Sequence, residues 1–334
     1  MCGISGIYLL NKNYNTENIN FNTLNTFLEH RGPDNSNNWK NNEQNLFFFH
    51  NRLSIVDLDI RSNQPLIYDD KYSIIFNGEI YNFEYLKDSL VQDGYKFKTH
   101  SDTELIAALY DKYKDDSFKM LEGIFAIAIY DIHNNNLVLT RDVFGVKPLY
   151  YYKNEELLVF SSEVKIFNKI FYNKNFDFES AAYIGFSLLG YVPEPFTILK
   201  DVYALEPGQL INIDNSAKIK FKKLESLRDI ALEIEDENLS VNYLADIKEE
   251  IDKSVKLNLM GDVDKSIFLS SGFDSKYISY AANKTFNQKT IGLSLGFNEN
   301  SFIKFDETKE AKTFSDKFDL NFNKKIIDYE EFQN

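Results

Sequence analysis

The sequence predicts two folded parts of different class: an α+β layered domain over residues 1–212 and an α/β domain with a parallel sheet over residues 241–334. The first part holds many short apolar runs of strand length, which only two helical stretches interrupt. In the second part strand and helix patterns alternate, as is typical of a parallel sheet with right-handed crossovers. Residues 213–240 are charged and weakly patterned, and are therefore predicted to form a linker.

The elements of the first part are read from short runs of apolar, β-branched and aromatic residues between turn residues, and from helical periodicity. Strands are predicted at 3–10, 46–49, 72–76, 126–130, 137–140, 149–152 and 157–161. Helices are predicted at 85–93 and 103–113.

The second part opens on a helix, because Leu244, Ile247, Ile251 and Val255 recur at helical spacing. The next elements alternate: a strand at 266–270, a helix at 274–283, a strand at 290–297, a helix at 307–318 and a strand at 324–327. The sequence shows no internal repeat.

Composition narrows the class of protein. Of the 334 residues 43% are hydrophobic and 26% charged, as in soluble globular proteins. The net charge of −14 argues against a nucleic-acid partner, which would need a basic face. No run is long enough to span a membrane, and the N-terminus does not resemble a signal peptide. A single cysteine excludes an internal disulfide, so we expect a cytoplasmic protein.

That single cysteine is Cys2, directly after Met1. Removal of Met1 would leave a thiol and a free α-amine on one residue. A thiolate is the attacking form of cysteine, and an α-amine titrates near pH ~8. An N-terminal cysteine can therefore carry its own general base. The alternative is that the position of Cys2 is a coincidence.

A second candidate site is the turn from Phe268 to Ser275, which follows an apolar strand and opens a helix. Backbone N–H groups and hydroxyls at a helix N-terminus bind anions, so phosphate is the expected ligand. The alternative is an ordinary turn in which serine and Asp274 cap the helix. The turn is not a Walker A loop, because no Gly-Lys-Ser/Thr follows.

Seven short motifs of the sequence are together typical of one protein family. They are Met1-Cys2-Gly3-Ile4, His30-Arg31-Gly32-Pro33-Asp34, His50-Asn51-Arg52-Leu53-Ser54-Ile55-Val56-Asp57, Asn77-Gly78-Glu79-Ile80-Tyr81-Asn82, Ser101-Asp102-Thr103-Glu104, Arg141-Asp142 with Gly145-Val146-Lys147-Pro148-Leu149-Tyr150, and the Ser270–Ser275 loop. With these motifs the chain resembles the glutamine-dependent asparagine synthetases. The resemblance implies an αββα sandwich of the N-terminal-nucleophile hydrolase type. It further implies the start of a Rossmann-like, PP-loop synthetase domain.

The resemblance assigns roles in glutamine hydrolysis. Cys2 would attack the side-chain amide of glutamine, and Asn77 and Gly78 would hold the oxyanion. Arg52 would clamp the α-carboxylate of glutamine, and Glu79 and Asp102 would bind its α-ammonium group. The implied glutamine-binding set is Arg52, Leu53, Ser54, Ile55, Val56, Asn77, Gly78, Glu79 and Asp102.

Each of these motifs also has a purely structural interpretation. Asn77-Gly78 is a strong hairpin-turn dipeptide. Residues 101–104 also read as a helix capping box, and Arg52 would serve equally in a surface ion pair.

For the second part the resemblance implies that ammonia passes inside the protein to an ATP site. There the β-carboxyl of aspartate would be activated as an acyl-adenylate, while Mg²⁺ bridges phosphates and a carboxylate. Its metal ligands stay unassigned. The implied ATP-binding set is Leu269, Ser270, Ser271, Gly272, Phe273, Asp274, Ser275 and Leu295.

The chain departs from the family pattern in several places. Ser271 replaces the first glycine of the loop, Lys276 follows its last serine, and residues 35–37 lack an expected glycine. Three predicted strands are few for an open α/β sheet, so we expect a fragment that hydrolyses glutamine without forming asparagine. Two alternatives stay open: another acceptor, such as a sugar acid, and a glutaminase alone. A homodimer would fit either.

Overall fold

The computed structural model describes residues 1–233, 243–285, 290–297, 305–328 and 331. The chain forms two compact units, Met1–Glu235 and Asp236–Asn334. In the described residues none of the helices combines the length and apolar character needed to span a bilayer.

The first unit contains two six-stranded antiparallel sheets. Its strands are β1 (Gly3–Leu9), β2 (Asn35–Lys40), β3 (Leu46–Arg52), β4 (Leu66–Tyr68), β5 (Tyr72–Ile80), β6 (Gly123–Asp131), β7 (Asn136–Arg141), β8 (Tyr150–Lys153), β9 (Leu157–Ser161), β10 (Val202–Ala204), β11 (Gln209–Ile213) and β12 (Ile219–Lys223). The strand order is β10-β8-β9-β1-β3-β2 in one sheet and β12-β11-β7-β6-β5-β4 in the other.

Helices lie between and after these strands in the chain. They are α1 (Phe21–Thr26), α2 (Phe83–Gln92), α3 (Asp102–Tyr113), α4 (Phe167–Ile170), α5 (Ser180–Leu189) and α6 (Leu227–Glu233). One apolar cluster lies between the sheets, a second joins α2 and α3 to β4–β7, and a third joins α1 and α4 to β1, β3 and β9. These layers confirm the predicted αββα sandwich.

Strand register brings the sequence motifs together. Gly3 pairs with Asn51, so the residue before β1 lies beside the end of β3. In β5, Gly78 pairs with Phe125 of β6, where a Cβ atom would lie 2.1 Å from the carbonyl oxygen of Ile124. Only glycine permits this close approach.

The second unit alternates helices and strands as predicted. It contains α7 (Tyr243–Asn258), β13 (Ser266–Phe268), α8 (Phe273–Thr285), β14 (Ile291–Phe297), α9 (Thr308–Lys317) and β15 (Asn321–Ile327). The strands form a parallel sheet in the order β13-β14-β15. The predicted α/β class of this unit is confirmed.

The predicted linker differs from the structure over the part that is described. Within residues 213–233 the chain forms β12, which pairs along its whole length with β11, and then α6. Sequence patterning missed β12 because Lys220, Lys222 and Lys223 give this edge strand a charged pattern. Residues 234–240, the rest of that linker, lie outside the described residues. The bounds 1–212 and 241–334 stay predictions.

Other elements escaped prediction because their sequences are polar or short. Strand β2 is Asn-Ser-Asn-Asn-Trp-Lys, an edge strand that only its pairing with β3 defines. Strands β4 and β10 have three residues each. Such strands form because a neighbour supplies hydrogen bonds, which local propensity does not reveal.

Candidate active site

A cavity in the first unit gathers most of the residues that the motifs single out. It lies where β1 begins, β3 and β5 end and α3 begins. Its walls comprise Met1, Cys2, Arg52, Leu53, Ile55, Val56, Ser62, Gln64, Phe76, Asn77, Gly78, Glu79, Ser101, Asp102, Thr103 and Lys147.

Cys2 is held in this cavity by contacts at both its ends. The N–H of Leu53 donates to its Sγ at 3.4 Å, and Nε of Arg31 donates to its carbonyl at 3.1 Å. Burial raises the pKa of the thiol, while the Leu53 contact and the positive charges of Arg52 and Lys147 act to lower it. While Met1 is attached, the nitrogen of Cys2 is an amide and cannot accept a proton.

Asn77 supplies a hydrogen-bond donor without an acceptor. The residue is 1% exposed, and its buried Nδ2 has no partner among the described residues. A buried unpaired donor destabilises a fold by about 1–3 kcal/mol, so such groups are typical of sites that receive a ligand. The hairpin-turn interpretation of Asn77-Gly78 is wrong, because both residues lie inside β5 and pair with β6.

Two carboxylates lie next to each other on the cavity wall. Asp102, 8% exposed, accepts a hydrogen bond from the N–H of Ile80 at 3.0 Å. The pKa of Asp102 is raised to about 7, mainly by burial and in smaller part by the neighbouring charge of Glu79, while the Ile80 contact acts to lower it. A ligand cation would relieve this repulsion, which makes the pair suited to an ammonium group.

Of the two reciprocal hydrogen bonds of a capping box, the structure shows one at residues 101–104. Ser101 caps α3 by accepting a hydrogen bond from the N–H of Glu104 at 3.3 Å. The Glu104 carboxylate instead accepts from the backbone of Lys98 and Thr99, at 2.8 Å and 2.6 Å. Capping and a cavity-facing Asp102 therefore coexist in one helix turn.

Arg52 is 5% exposed, so the surface ion-pair interpretation is wrong. Its Nη1 donates to the carbonyl of Asp59 at 3.0 Å and to the side chain of Asn63 at 2.7 Å. Its Nη2 donates to the carbonyls of Val56 and Asp57. A clamp on the glutamine carboxylate would require Arg52 to exchange some of these partners.

Ser54 is a predicted glutamine-binding residue that the structure does not bring to the cavity wall. Its N–H donates to the carboxylate of Asp34 at 2.7 Å, so it fixes the loop instead. Conversely, the cavity is also lined by five residues to which the sequence analysis assigned no role, namely Ser62, Gln64, Phe76, Thr103 and Lys147. Of these, Thr103 and Lys147 carried a signal, because they belong to the 101–104 and 145–150 motifs.

In the second unit the predicted ATP loop joins β13 to α8. Its hydroxyls satisfy part of its own backbone: Ser270 Oγ lies 2.8 Å from Ser275 Oγ and accepts from the N–H of Gly272 at 3.2 Å. The N–H and hydroxyl of Ser271 donate to Glu307, at 3.2 Å and 2.6 Å. The N–H groups of Ser271 and Gly272 are thus already bonded within the unit, so binding of phosphate by these groups would require an exchange of partners.

The remaining predicted ATP residues are placed differently from one another. The side chain of Leu269 is buried with Ala311 and Leu320, away from solvent. Leu295 in β14 is half exposed, and Phe273 is 80% exposed at the start of α8 next to the exposed Asp274.

A resident metal ion would need a set of acidic, histidine or cysteine ligands. The described part of the chain contains no group of three or more such residues that could hold one.

Comparison with known proteins decides the family. Residues 1–223 match the family of the glutamine amidotransferase domain. The chain belongs to the glutamine amidotransferase family. Residues 246–334 of the chain match the asparagine synthase family. Together these matches confirm the resemblance to glutamine-dependent asparagine synthetases.

The names of curated relatives of the chain state both glutamine hydrolysis and asparagine synthesis. Asparagine synthetase [glutamine-hydrolyzing] 1 of Bacillus subtilis is 32% identical over 338 residues, which cover 100% of this chain and 51% of the relative. A putative asparagine synthetase [glutamine-hydrolyzing] 2 of Methanocaldococcus jannaschii is 32% identical, covering 95% and 63%. A putative asparagine synthetase [glutamine-hydrolyzing] of Mycobacterium bovis is 34% identical, covering 84% and 44%. The chain spans about half the length of the curated relatives it matches.

Proposed function

We propose that the cavity of the first unit hydrolyses glutamine and that the ammonia serves an ATP-dependent amidation of aspartate to asparagine. The observation that carries the first half is the unpartnered Nδ2 of Asn77 in the same cavity as Cys2. A nucleophile beside a buried unused donor is the arrangement that an acyl-transfer reaction requires.

The chemistry follows from the groups in the cavity, after removal of Met1. The α-amine of Cys2 accepts the thiol proton, and Sγ bonds to the amide carbon of glutamine. Asn77 and the N–H of Gly78 hold the resulting oxyanion. The C–N bond then breaks, ammonia leaves with the proton from the amine, and water hydrolyses the thioester to glutamate.

The paired carboxylates support glutamine as the substrate. Glu79 and Asp102 would take its α-ammonium group, and the loop after β3 would take its α-carboxylate. Because Arg52 already donates to that loop, its share in carboxylate binding depends on exchange of partners.

In the second unit, the asparagine synthase match and the β13–α8 loop support ATP as a substrate. The loop would receive the phosphates that leave as pyrophosphate, with Mg²⁺ between them and a carboxylate such as Asp274. Aspartate as the acceptor is supported by the names of the relatives alone. The cytoplasmic location and the homodimer stay predictions.

The glutaminase proposal is tested by Cys2→Ala. Because Cys2 supplies the bond-making sulfur, hydrolysis of glutamine should be lost while calorimetric binding of glutamine persists. A peptide tag left before Cys2 should inactivate nearly as fully, since it converts the amine to an amide. Glutaminase activity of Cys2→Ala within tenfold of the wild type would contradict the assignment.

The acceptor is tested by following pyrophosphate and asparagine together. Glutamine, ATP and Mg²⁺ are supplied with aspartate in one reaction and with a sugar acid in a parallel one. Equimolar pyrophosphate and asparagine support the proposal, and would show that the expectation of a fragment without asparagine formation is wrong. Pyrophosphate release that depends on the sugar acid and not on aspartate would overturn the aspartate assignment.

A further inference from the structure

Lys147 presents a buried positive charge to the glutamine cavity without a partner of its own. The residue is 6% exposed and lines the cavity with Cys2 and Glu79. Within the described residues its ammonium makes no hydrogen bond, and no carboxylate lies within salt-bridge distance. Because the side chain lines the cavity, its charge acts on the groups that share the cavity with it, Cys2 and Glu79.

The loop that carries Lys147 is fixed by a buried carboxylate. Asp142, 1% exposed, accepts hydrogen bonds from four backbone N–H groups. These belong to Phe125, Phe144, Val146 and Lys147, at distances of 3.0–3.1 Å. A carboxylate with so many donors holds the loop in one conformation.

Arg141 also holds this loop, through hydrogen bonds from its guanidinium group. Its guanidinium donates to the carbonyls of Lys147 and Leu205, both at 2.7 Å, and also to the carbonyl of Gly145. Gly145 adopts a left-handed conformation with φ of 64°, which permits the tight turn. The Arg141-Asp142 motif thus serves to present Lys147 at a fixed position.

The charged groups around Lys147 come from several elements. Cys2 and the chain α-amine lie before β1, Glu79 lies in β5, Arg31 precedes β2, and Asp142 belongs to the same loop. Arg52 and Asp102 lie farther along the same cavity wall. Burial lowers the pKa of Lys147, whereas Glu79 and Cys2 favour its charged form.

We propose that Lys147 is a positioning residue for glutamine hydrolysis, whose ammonium favours an ionised Cys2 thiol and an unprotonated α-amine. The inference rests on the proposed glutaminase function and extends it to the state of the nucleophile. In the chain with Met1 attached, the same charge already acts to lower the pKa of the thiol and that of the α-amine.

The test is the pH dependence of Cys2 alkylation by iodoacetamide, in protein whose loss of Met1 is verified by mass spectrometry. Because Cys2 is the single cysteine, alkylation of the chain reports on it alone. We expect Lys147→Met to raise the pH midpoint by about one unit, so that alkylation near neutral pH is roughly tenfold slower. Lys147→Arg keeps the charge and should keep the midpoint.

Two further variants make the result specific. Lys153→Met removes a charge from an exposed residue that does not line the cavity, and should leave the midpoint unchanged. Lys147→Gln is a second neutral variant, used if circular dichroism shows that Lys147→Met is unfolded. An alkylation profile of the neutral variant that coincides with the wild type overturns the proposal.

Glutaminase kinetics give an independent measure. Loss of the charge raises the pKa of the α-amine, so the acidic limb of the kcat/KM profile should move to higher pH in Lys147→Met. A purely structural role would lower activity equally at every pH. If the wild type hydrolyses no glutamine, the proposed function fails, whereas the alkylation experiment still decides the role of Lys147.

Discussion

The two units differ in the size of the buried core that surrounds their candidate sites. In the first unit, extended clusters of buried side chains lie on both faces of the sheets. In the cluster between the sheets, the rings of Phe48 and Phe160 pack edge to face with their centroids 6.0 Å apart. In the second unit, the described clusters are small, with Val255, Ala281 and Ala282 buried in one of them. The second unit therefore has much less core to hold a site in place.

The chemistry of each site matches this difference. The cavity of Cys2 holds an amide donor that has no partner among the described residues, two neighbouring carboxylates and the ammonium of Lys147, and a rigid core must keep these groups in place. The nucleotide loop is largely exposed, and its serines satisfy part of its own backbone. Anion binding by backbone N–H groups needs only a local strand, turn and helix.

Truncation of a buried ring in either core should have the greatest effect, as a loss of stability. Phe160→Ala removes a fully buried ring and should reduce the free energy of unfolding of the first unit by about 3–5 kcal/mol. Phe314→Ala, at a partly buried ring of the second unit, should have a smaller effect. Urea unfolding followed by fluorescence separates them, because the single tryptophan, Trp39, packs against Phe48 in the first unit.

We expect Phe160→Ala to shift the Trp39 transition and Phe314→Ala to leave it unchanged. Hydrogen exchange of the β14 amides then reports the effect of Phe314→Ala. An equal shift of the Trp39 transition by both variants would show that the two units unfold as one. That result would contradict a difference in stability between their cores.

The next largest effect concerns the oxyanion donor. Asn77→Ala should lower kcat for glutamine hydrolysis by about 10² to 10³ with little change in KM, because the amide acts mainly on the transition state. Asn38→Ala, on the exposed edge strand β2, is the matched control. An Asn77 variant that raises KM alone would make this residue a binding residue.

A smaller effect concerns Asp102 and pH. Its pKa of about 7 lies above the ordinary 3.8, so the folded state keeps a proton that the unfolded state releases between those values. Stability is therefore lost as the pH rises from about 4 to 7. Asp102→Asn should remove this loss, and each kcal/mol regained raises Tm by about 2–4 °C in a unit of this size.

The measurement is Tm at pH 4 and pH 8, where Asp102→Asn should stabilise at pH 8 and change little at pH 4. Its KM for glutamine should rise, and the KM of the wild type should rise below pH 7 as the carboxylate is protonated. Asp88→Asn, at an exposed position of α2, controls for loss of a charge. A variant less stable than the wild type at pH 8 would contradict the expectation.

The smallest effect belongs to the nucleotide loop. Glu307 accepts hydrogen bonds from Ser271 and places a negative charge where phosphate is proposed to bind. Glu307→Gln should tighten ATP binding by at most about fivefold, as expected for an exposed charge. Equilibrium titration measures the affinity of Glu307→Gln for ATP, and Glu310→Gln, at a neighbouring exposed position, is the control. Weaker binding of ATP by Glu307→Gln would show that Glu307 supports the site.

Elements that depend on local pattern could be predicted from the sequence. Predicted helices at 85–93 and 103–113 correspond to α2 and α3, and all three predicted strands of the second unit are present. The motifs also sufficed to predict the family and the cavity residues Cys2, Asn77 and Asp102. These features are legible because periodicity, capping and short motifs act within a few residues.

Features that depend on partners far away in the chain could not be predicted from local pattern. Asn77-Gly78 favours a turn locally, but pairing with β6 makes it part of a strand. β12 is charged in sequence, but β11 supplies its hydrogen bonds. The raised pKa of Asp102 and the unpaired ammonium of Lys147 arise from burial, and burial is set by packing between elements far apart in the chain.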